Sequence, residues 1–223
     1  MPIEQSAPAR LTHSQIQGVY SRLSPLYFLW EKIAERQPTE LALELASVQS
    51  GENVLEVAVG PGNALERLAR THRGGKMIGV DLTPSLLRRT ARRFRQEAPH
   101  ALLLCQCDAC LLPFTDRSFD LVFCAYLVDL LSLENIEKAL CEMRRVLRPG
   151  GRLVLVHLGM GHAWFNRVWG FFSWLVPTML GGCRPIRIAA HLPTLGLEVL
   201  ETREVLRWGI PSDVILACRV EDR

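Results

Sequence analysis

Two glycines and three carboxylates stand at the ends of apolar runs in this chain, at a spacing that could hold a ligand. The run VLEVAVGPGN carries Glu56 and breaks into Gly60 and Gly62. Asp81 ends the next apolar run, and Asp108 follows the one after it. Glycines let a ligand approach the backbone closely, and carboxylates accept hydrogen bonds from hydroxyl and amino groups. The pattern therefore predicts a binding turn flanked by acids.

The glycine turn matches neither of the common phosphate-binding loops. A dinucleotide loop has a third glycine, and counting from Gly60 that position is Leu65, which would crowd the helix against the strand. A P-loop needs Gly-Lys-Ser/Thr, and none follows. Asp81 could instead accept both hydroxyls of a ribose without a 2′-phosphate, and Asp108 could meet the amino group of an adenine. Together these positions predict a nucleoside ligand.

Seven β-rich runs alternate with helical patterns along the chain. The runs are 53–59, 76–82, 101–109, 120–126, 152–158, 197–203 and 213–219. The first five are almost continuously apolar, as strands buried on both faces are. The clearest helical pattern covers 133–147, with Ser132 as its N-cap. This alternation predicts parallel strands with right-handed crossovers, and the short link between the last two runs predicts an antiparallel hairpin.

We therefore predict an α/β fold: a doubly wound, mostly parallel seven-stranded sheet, Rossmann-like, with an antiparallel edge strand. The expected organisation is an N-terminal arm and lid helix over 1–37 and a main domain over 38–223. Within that domain, 160–192 is expected to be an insertion that covers the substrate. Ligands bind such sheets at the carboxyl ends of the strands, where the strand order reverses. The glycine turn would lie at that point.

Composition narrows the class of protein. The 223 residues are 48% hydrophobic and 22% charged, as in a globular protein, and a net charge of +3 gives little reason to expect a nucleic-acid partner. The first residues lack the apolar core of a signal peptide, and seven cysteines fit a reduced, cytoplasmic setting. The most apolar stretch, 163–182, contains Asn166, Arg167 and Pro177. These interruptions argue against a membrane span. The remaining interpretations of this stretch are a helix that covers the pocket and a helix that lies at a membrane interface.

Two conspicuous patterns have structural interpretations. In the arginine-rich run 88–95 the expected buried stripe is Leu87, Ala91 and Phe94, with the arginines on a solvated face. The Cys-x-Cys-x-x-Cys pattern that begins at Cys105 lacks the second pair that a tetrahedral zinc site needs, so no metal is expected.

From about Tyr20 to its C-terminus the chain resembles the class I S-adenosylmethionine-dependent methyltransferases. The resemblance rests on LEVAVGPGN, GVDLTPSLL, CDACLLPFTDRSFDLV and EMRRVLRPGGRLVLV, in this order. The family pattern E/D-x-G-x-G-x-G reads Glu56-x-Ala58-x-Gly60-x-Gly62 here, so Ala58 departs from it. Alanine fits at that position with little strain if the main chain has a negative φ, whereas a positive φ would count against the assignment.

The resemblance implies which residues bind S-adenosylmethionine and its product S-adenosylhomocysteine. Asp81 would hold the ribose hydroxyls, Leu82 would lie against the adenine face, and Asp108 and Ala109 would meet the adenine edge. Cys124 would lie in the loop beside the reactive methyl. The complete implied set is Glu56, Ala58, Gly60, Gly62, Asn63, Asp81, Leu82, Asp108, Ala109 and Cys124. From its position alone, Asn63 could also cap the helix after the turn.

On the substrate side, the segment VYSRLSPLYFLWEKI resembles the lid of ubiquinone/menaquinone C-methyltransferases and of bacterial phosphatidylethanolamine N-methyltransferases. Those enzymes carry Tyr-Asp where this chain has Tyr27-Phe28. The candidate substrate contacts are Tyr20, Tyr27, Trp30 and His162, and the candidate catalytic residues are Tyr126, Asp129 and His157. Helix packing for the aromatics, a helix cap for Asp129 and a core role for His157 remain alternatives.

The expected function is methyl transfer to a small or lipid-like apolar acceptor, either a quinone precursor or an amine lipid head group. The alternatives are an arsenite or thiol methyltransferase, with Cys124 and Cys183 as candidate ligands, and a nicotinamide-dependent oxidoreductase, against which Leu65 argues. The expected location is cytoplasmic, with a peripheral contact to the inner membrane through 163–182 as an option. The sequence leaves the oligomeric state open.

Overall fold

The computed structural model describes residues 3–8, 15, 18, 35–94, 102–175 and 182–221. The helices with described bounds are α1 (Arg36–Ala46), α2 (Asn63–Thr71), α3 (Pro84–Arg93), α4 (Leu133–Val146) and α5 (Ala163–Leu175). The strands of the main sheet are β2 (Val54–Val57), β3 (Met77–Asp81), β4 (Leu102–Gln106), β5 (Phe119–Ala125), β6 (Leu147–Leu158), β8 (Leu197–Arg207) and β9 (Ile210–Arg219). Two short strands, β1 (Glu4–Gln5) and β7 (Ile186–Arg187), pair with each other.

The seven long strands form one sheet in the order β4-β3-β2-β5-β6-β9-β8. The first five are mutually parallel, whereas β9 runs antiparallel to both β6 and β8. The predicted doubly wound sheet, with an edge strand antiparallel to its neighbour, is confirmed. The chain winds outward from β2 to β4 and then returns to β5 on the other side of β2. The switch point is therefore at the carboxyl ends of β2 and β5, directly after which the glycine turn begins.

Both faces of the sheet are covered, which explains why its parallel strands are apolar throughout. Helix α4 buries Ile136, Ala139, Leu140 and Met143 completely against one face. Ser132 caps this helix as predicted, because its hydroxyl accepts a hydrogen bond from the Asn135 N–H at 3.3 Å. The opposite face packs against residues of α1 and α2, namely Ala42, Ala46, Leu65 and Leu68.

The hairpin of β8 and β9 is longer than the sequence predicts. Only Trp208 and Gly209 separate the two strands, and both have positive φ, 52° and 78°. Two consecutive residues with positive φ are typical of a type I′ turn, whose twist matches that of the strands it joins. Both strands therefore extend to the turn, beyond the predicted 197–203 and 213–219.

The pairing of β1 with β7 was not predicted. Glu4 lies opposite Arg187, and Gln5 lies opposite Ile186. A buried arginine, Arg184, lies beside this pair and is 1% exposed. The expected lid helix falls mostly on residues outside the described part, so its boundary at 37 stays a prediction. No helix in the part of the chain that the structure describes is long and apolar enough to cross a bilayer.

Candidate active site

The glycine turn leaves β2 through three residues with left-handed backbone. Ala58, Gly60 and Gly62 have φ values of 61°, 52° and 83°. The turn is closed by the Gly62 N–H, which donates to the Val59 carbonyl at 2.9 Å, and it is tied to β3 because the Val59 N–H donates to the Val80 carbonyl at 3.0 Å. The family pattern thus has glycines at positions where the main chain requires positive φ.

Ala58 does not have the negative φ that would let alanine fit without strain. Its φ of 61° lies in the left-handed region, where a side chain with a Cβ costs roughly 1–2 kcal/mol. The backbone nevertheless makes the turn that the glycine pattern specifies, with Gly60 and Gly62 in conformations that suit glycine. The positive φ at Ala58 therefore lowers stability. It does not count against the cofactor assignment as expected, because the shape of the turn is retained.

Replacing Ala58 by glycine should stabilise the protein. We expect Ala58→Gly to raise the free energy of unfolding by about 1 kcal/mol, because it removes the Cβ from a left-handed residue. Urea unfolding followed by circular dichroism measures this. The matched control is Ala91→Gly, at an exposed position of helix α3, which should lower stability by about 1 kcal/mol. Equal destabilisation by both substitutions would contradict the strain at Ala58.

Asp81 at the end of β3 holds the turn from the other side. One carboxylate oxygen accepts from the Gly60 N–H at 2.9 Å, and the other accepts from the Thr83 N–H at 2.7 Å. The side chain is 7% exposed, and burial raises its pKa, while the hydrogen bonds from Thr83 and Gly60 oppose that shift. Each oxygen retains a second acceptor site, so a ribose hydroxyl can add to this arrangement without displacing it.

Helix α3 supports the turn through residues that the sequence did not reveal. The Thr90 hydroxyl donates to the Gly60 carbonyl at 2.9 Å, and Arg93 donates to the Pro61 carbonyl at 3.0 Å. A Cβ at Gly62 would come within 2.6 Å of the Thr90 side chain. Gly62 is the N-cap of α2, which makes Asn63 the first helical residue, so Asn63 does not cap this helix as suggested.

An open crevice lies beside the turn, at the carboxyl ends of the parallel strands; its empty space, including solvent at the mouth, is about 780 Å³. Six of the implied cofactor residues line it: Ala58, Gly60, Asp81, Leu82, Asp108 and Ala109. The remaining implied residues, Glu56, Gly62, Asn63 and Cys124, are not part of its lining. Its other walls are formed by Val57, Val80, Thr83, Leu86, Cys107, Ala125, Tyr126, Leu127, Leu130 and Leu131.

The crevice has the shape and chemistry that a nucleoside needs. A Cβ built on Gly60 would meet no protein atom within 4 Å, so the glycine leaves space along the wall of the crevice. Leu65 is fully buried behind the turn, and its side chain lies 2.9 Å from where a Cβ on Gly79 would be. The helix therefore packs on the strand through a leucine, without the close approach that a dinucleotide loop uses.

Tyr126 lines the crevice directly after β5. It has a φ of 54°, an uncommon value for a bulky residue. Its hydroxyl lies 3.0 Å from the Ser212 hydroxyl on β9, and burial raises its pKa well above the ordinary value. Strained non-glycine residues cluster at functional sites, and Ala58 and Tyr126 lie on the lining of the same crevice.

Asp129 and His157 are buried near one another but do not line the described crevice. Asp129 accepts a long hydrogen bond from the Leu158 N–H at 3.4 Å, and the His157 Nδ1 lies 3.2 Å from the Leu158 carbonyl. Asp129 Oδ1 and His157 Nε2 have no hydrogen-bond partner among the described residues. Burial raises the pKa of Asp129 and lowers that of His157, so it favours the neutral form of each.

The other candidates are placed as follows. His162 is exposed just before helix α5 and outside the lining of the crevice. Cys124 does not lie in a loop beside the crevice as expected, because it is part of strand β5 and is buried there. Tyr20, Tyr27 and Trp30 lie outside the described residues. Within the described ranges, no group of three or more histidine, cysteine, aspartate or glutamate side chains is arranged to hold a metal.

Comparison with known proteins identifies the family of this chain. A family model described as a methyltransferase domain matches residues 54–151. A demethylmenaquinone methyltransferase of Thermus thermophilus is 30% identical over 218 residues, which cover 87% of this chain and 97% of that protein. A 2-phytyl-1,4-naphtoquinone methyltransferase of Nostoc punctiforme is 28% identical over 149 residues, 64% of each chain.

A solved structure shows that the whole fold is shared. The [4+2]-cyclase SpnF matches 97% of this chain and 99% of its own length, with a TM-score of 0.78 and 19% sequence identity. A likeness at that identity concerns the fold, whereas the match to the Thermus protein extends to the sequence of almost the entire chain. The crevice with its Asp81 and glycine turn fits S-adenosylmethionine as cofactor. The chain therefore belongs to the class I S-adenosylmethionine-dependent methyltransferases, in the branch that contains the demethylmenaquinone methyltransferases.

Proposed function

We propose that the protein methylates a ring carbon of a quinone precursor, a reduced naphthoquinone with a hydrocarbon chain. The observation that carries this proposal is the near full-length similarity to a demethylmenaquinone methyltransferase, together with the apolar acceptor side of the crevice. Tyr126, Leu127, Leu130 and Leu131 offer an aromatic and aliphatic surface suited to a flat apolar ring.

The residues have distinct proposed roles. When bound, S-adenosylmethionine supplies a methyl group on a positively charged sulfur. Asp81 and Asp108 hold the nucleoside, and the glycine turn holds the methionine end, with Glu56 behind it. Fixing the acceptor carbon in line with the methyl supplies most of the rate, since well-oriented reactants gain roughly 7–11 kcal/mol.

A ring carbon becomes nucleophilic only when an adjacent hydroxyl loses its proton, so the acceptor side needs a base. We assign this role to His157, which would take the proton through a water because its imidazole is buried outside the crevice lining; its Nε2 has no partner among the described residues. Asp129 would provide a polar neighbour for the protonated His157, and Tyr126 would hold the acceptor ring. Tyr20, Tyr27, Trp30 and His162 would cover the acceptor from the lid side.

The alternative acceptors have less support. An arsenite enzyme needs cysteine thiolates, but burial raises the pKa of the Cys124 and Cys183 thiols and keeps them protonated. An amine lipid would be expected to meet an ionised carboxylate, whereas burial raises the pKa of Asp129. A nicotinamide cofactor conflicts with the fully buried Leu65.

The test is a methyl-transfer assay of the purified protein with S-adenosylmethionine and four acceptors: a naphthohydroquinone, phosphatidylethanolamine, a thiol and arsenite. We expect a ring-methylated product from the hydroquinone, identified by mass spectrometry, and none from the oxidised quinone. His157→Gln should lower kcat by about 10²–10⁴-fold without changing cofactor affinity. In the native protein we expect kcat to fall on acidification below pH 6.5, because burial lowers the pKa of His157. The His157→Gln variant should not show this fall.

His72→Gln is the control for that substitution. His72 is also buried, but its Nε2 lies 2.8 Å from the Glu52 carbonyl at the other end of the sheet. The control should affect stability and leave kcat unchanged. Methylation of phosphatidylethanolamine, the thiol or arsenite in place of the hydroquinone would overturn the proposed function. An unchanged pH profile in His157→Gln would overturn the assignment of His157 as the general base.

An acceptor with a long hydrocarbon chain resides in a membrane. We therefore place the protein in the cytoplasm, in peripheral contact with the inner membrane through 163–182, a range that includes helix α5.

A further inference from the structure

Helix α5 has one buried side and one apolar side that faces solvent. Phe165 and Trp169 are 8% and 9% exposed and pack onto the protein. The other side carries residues spaced four, three and four apart, which places them in one line along a helix. They are Trp164, Val168, Phe171 and Leu175, with exposures of 64, 46, 56 and 55%. An apolar line of this length on a protein surface indicates an interaction site.

The tip of the β8–β9 hairpin is also apolar and exposed. Leu206 is 63% exposed, and Trp208 is 80% exposed. Trp208 has a φ of 52°, in a turn position that asparagine, aspartate or glycine would occupy with less strain. Neither its backbone conformation nor burial in the fold explains a bulky indole at this position.

These two apolar elements are neighbours. The buried side of α5 packs against Leu158 at the end of β6 and against Ile210, the first residue after the hairpin turn. A Cβ on Gly161 would touch both Phe165 and Pro211, which confirms that the start of α5 lies on the start of β9. Because β9 begins where β6 ends, both elements lie at the carboxyl end of the sheet, where the crevice also opens.

Cationic side chains accompany the apolar ones. Arg167 is exposed three residues after Trp164. Arg207 directly precedes Trp208 at the hairpin tip. Tryptophan and arginine are favoured where a protein meets a lipid surface, because the indole suits the interface and the guanidinium attracts anionic headgroups.

We infer that these two elements form a single docking face for an anionic phospholipid bilayer. The docking face consists of Trp164, Val168, Phe171 and Leu175 of α5 with Leu206 and Trp208 of the hairpin tip. The apolar side chains would enter the headgroup region, and Arg167 and Arg207 would contact lipid phosphates. Binding to the bilayer depends only on these exposed residues. The further consequence, that a lipid-tailed acceptor enters the crevice from the bilayer, rests on the proposed function.

The test is co-sedimentation with vesicles of phosphatidylcholine, either pure or mixed with an equal part of phosphatidylglycerol, without cofactor or acceptor. We expect binding to the mixed vesicles and much weaker binding to the pure ones. Trp164→Ser and Trp208→Asn should each weaken binding by about tenfold, because each removes an inserted indole. Trp208→Asn creates an Asn-Gly turn, which favours the hairpin, so loss of binding by that variant cannot come from misfolding.

Leu103→Ser is the matched control, since Leu103 is 56% exposed on β4, at the opposite edge of the sheet. It should bind vesicles like the native protein. All three variants should turn over a chain-free hydroquinone normally, while Trp164→Ser and Trp208→Asn should lose turnover of a long-chain acceptor held in vesicles. If the protein failed to methylate the hydroquinone, the proposed function would be wrong, but the measured binding to vesicles would still support the docking face.

The inferred docking role is wrong if the native protein binds neither kind of vesicle, or if Trp164→Ser and Trp208→Asn bind vesicles as well as the native protein does. It is also wrong if these variants convert a dimer into a monomer, as measured by sedimentation velocity, because the face would then bind a second copy of the chain.

Discussion

Asp81→Ala should reduce the affinity for S-adenosylmethionine by at least about 100-fold, which corresponds to about 3 kcal/mol. The substitution removes two things together: the carboxylate that we assign to the ribose, and the hydrogen bond that holds the Gly60 N–H at 2.9 Å. Asp81→Asn should be nearly as damaging. One end of an amide would present N–H groups to the N–H of Gly60 or Thr83, and two donors cannot bond. Isothermal titration with S-adenosylmethionine and S-adenosylhomocysteine measures both effects.

Asp120→Asn is the control for these substitutions. Asp120 also accepts a backbone N–H, that of Asn53 at 2.8 Å, but at the amino end of β2, away from the crevice. The control should lower stability by about 1–3 kcal/mol and leave cofactor affinity unchanged. Asp81→Ala with an affinity within threefold of the native protein would contradict the ribose assignment and the cofactor role of the turn.

The same carboxyl group predicts opposite pH trends for binding and for stability. Burial raises the folded-state pKa of Asp81 above its unfolded value. Its contribution to stability is therefore fully present below the ordinary aspartate pKa and is lost as the pH rises through the folded value. Cofactor binding requires the ionised form, so affinity should fall on acidification at a pH above the ordinary aspartate value. Titrations across this range should show the fall in the native protein and not in Asp81→Ala.

The sheet and the two acids that line the crevice could be predicted from the sequence because their causes are local. An apolar run gives a buried strand, and an acid at its carboxyl end meets the crevice through topology alone. Asp81 and Asp108 were found in this way. The left-handed backbone at Ala58 could not be predicted, because an alanine in the sequence does not indicate a positive φ.

The contacts between elements were missed for a different reason. Helix α3 was predicted to bury Leu87, Ala91 and Phe94, but Ala91 is exposed and Thr90 is fully buried. Thr90 instead faces the glycine turn, which is distant in sequence, and donates a hydrogen bond to it. A hydrophobic pattern cannot report a polar contact of that kind. The Thr-Pro pair that begins the helix was a usable signal, because Thr83 is its N-cap and Pro84 follows at the first helical position.

Arg184 is a second contact between elements that the sequence pattern does not reveal, and its expected effect on stability is larger. Nothing in the sequence distinguishes it from the other arginines, yet its side chain is among the largest that are fully buried. Its guanidinium donates to the Asp129 carbonyl at 3.0 Å, to the Leu131 carbonyl, and to the Gln5 side chain at 3.1 Å. One side chain thus fastens the loop 127–131, which lines the crevice, to the pair of β1 and β7. Arg184 is a positioning residue that does not line the crevice itself.

Arg184→Met should lower the free energy of unfolding by about 3–5 kcal/mol, because it removes three hydrogen bonds of a buried guanidinium and leaves the Leu131 carbonyl without its donor. The melting temperature should fall by roughly 10 °C. Well below that temperature, cofactor affinity should still be reduced by about tenfold, since the loop 127–131 loses its anchor and the leucines on it no longer hold their place in the crevice wall.

The matched control is Arg187→Met, three residues along the same segment. Arg187 is 55% exposed, and its ion pair with Glu4 at 3.2 Å lies in solvent, so its loss should change stability by less than about 0.5 kcal/mol. Thermal unfolding and cofactor titration of both variants separate the two roles of Arg184. A large fall in melting temperature with unchanged cofactor affinity would mean that Arg184 only stabilises the fold. Reduced affinity in the folded variant would show that the crevice wall depends on a contact made from outside it.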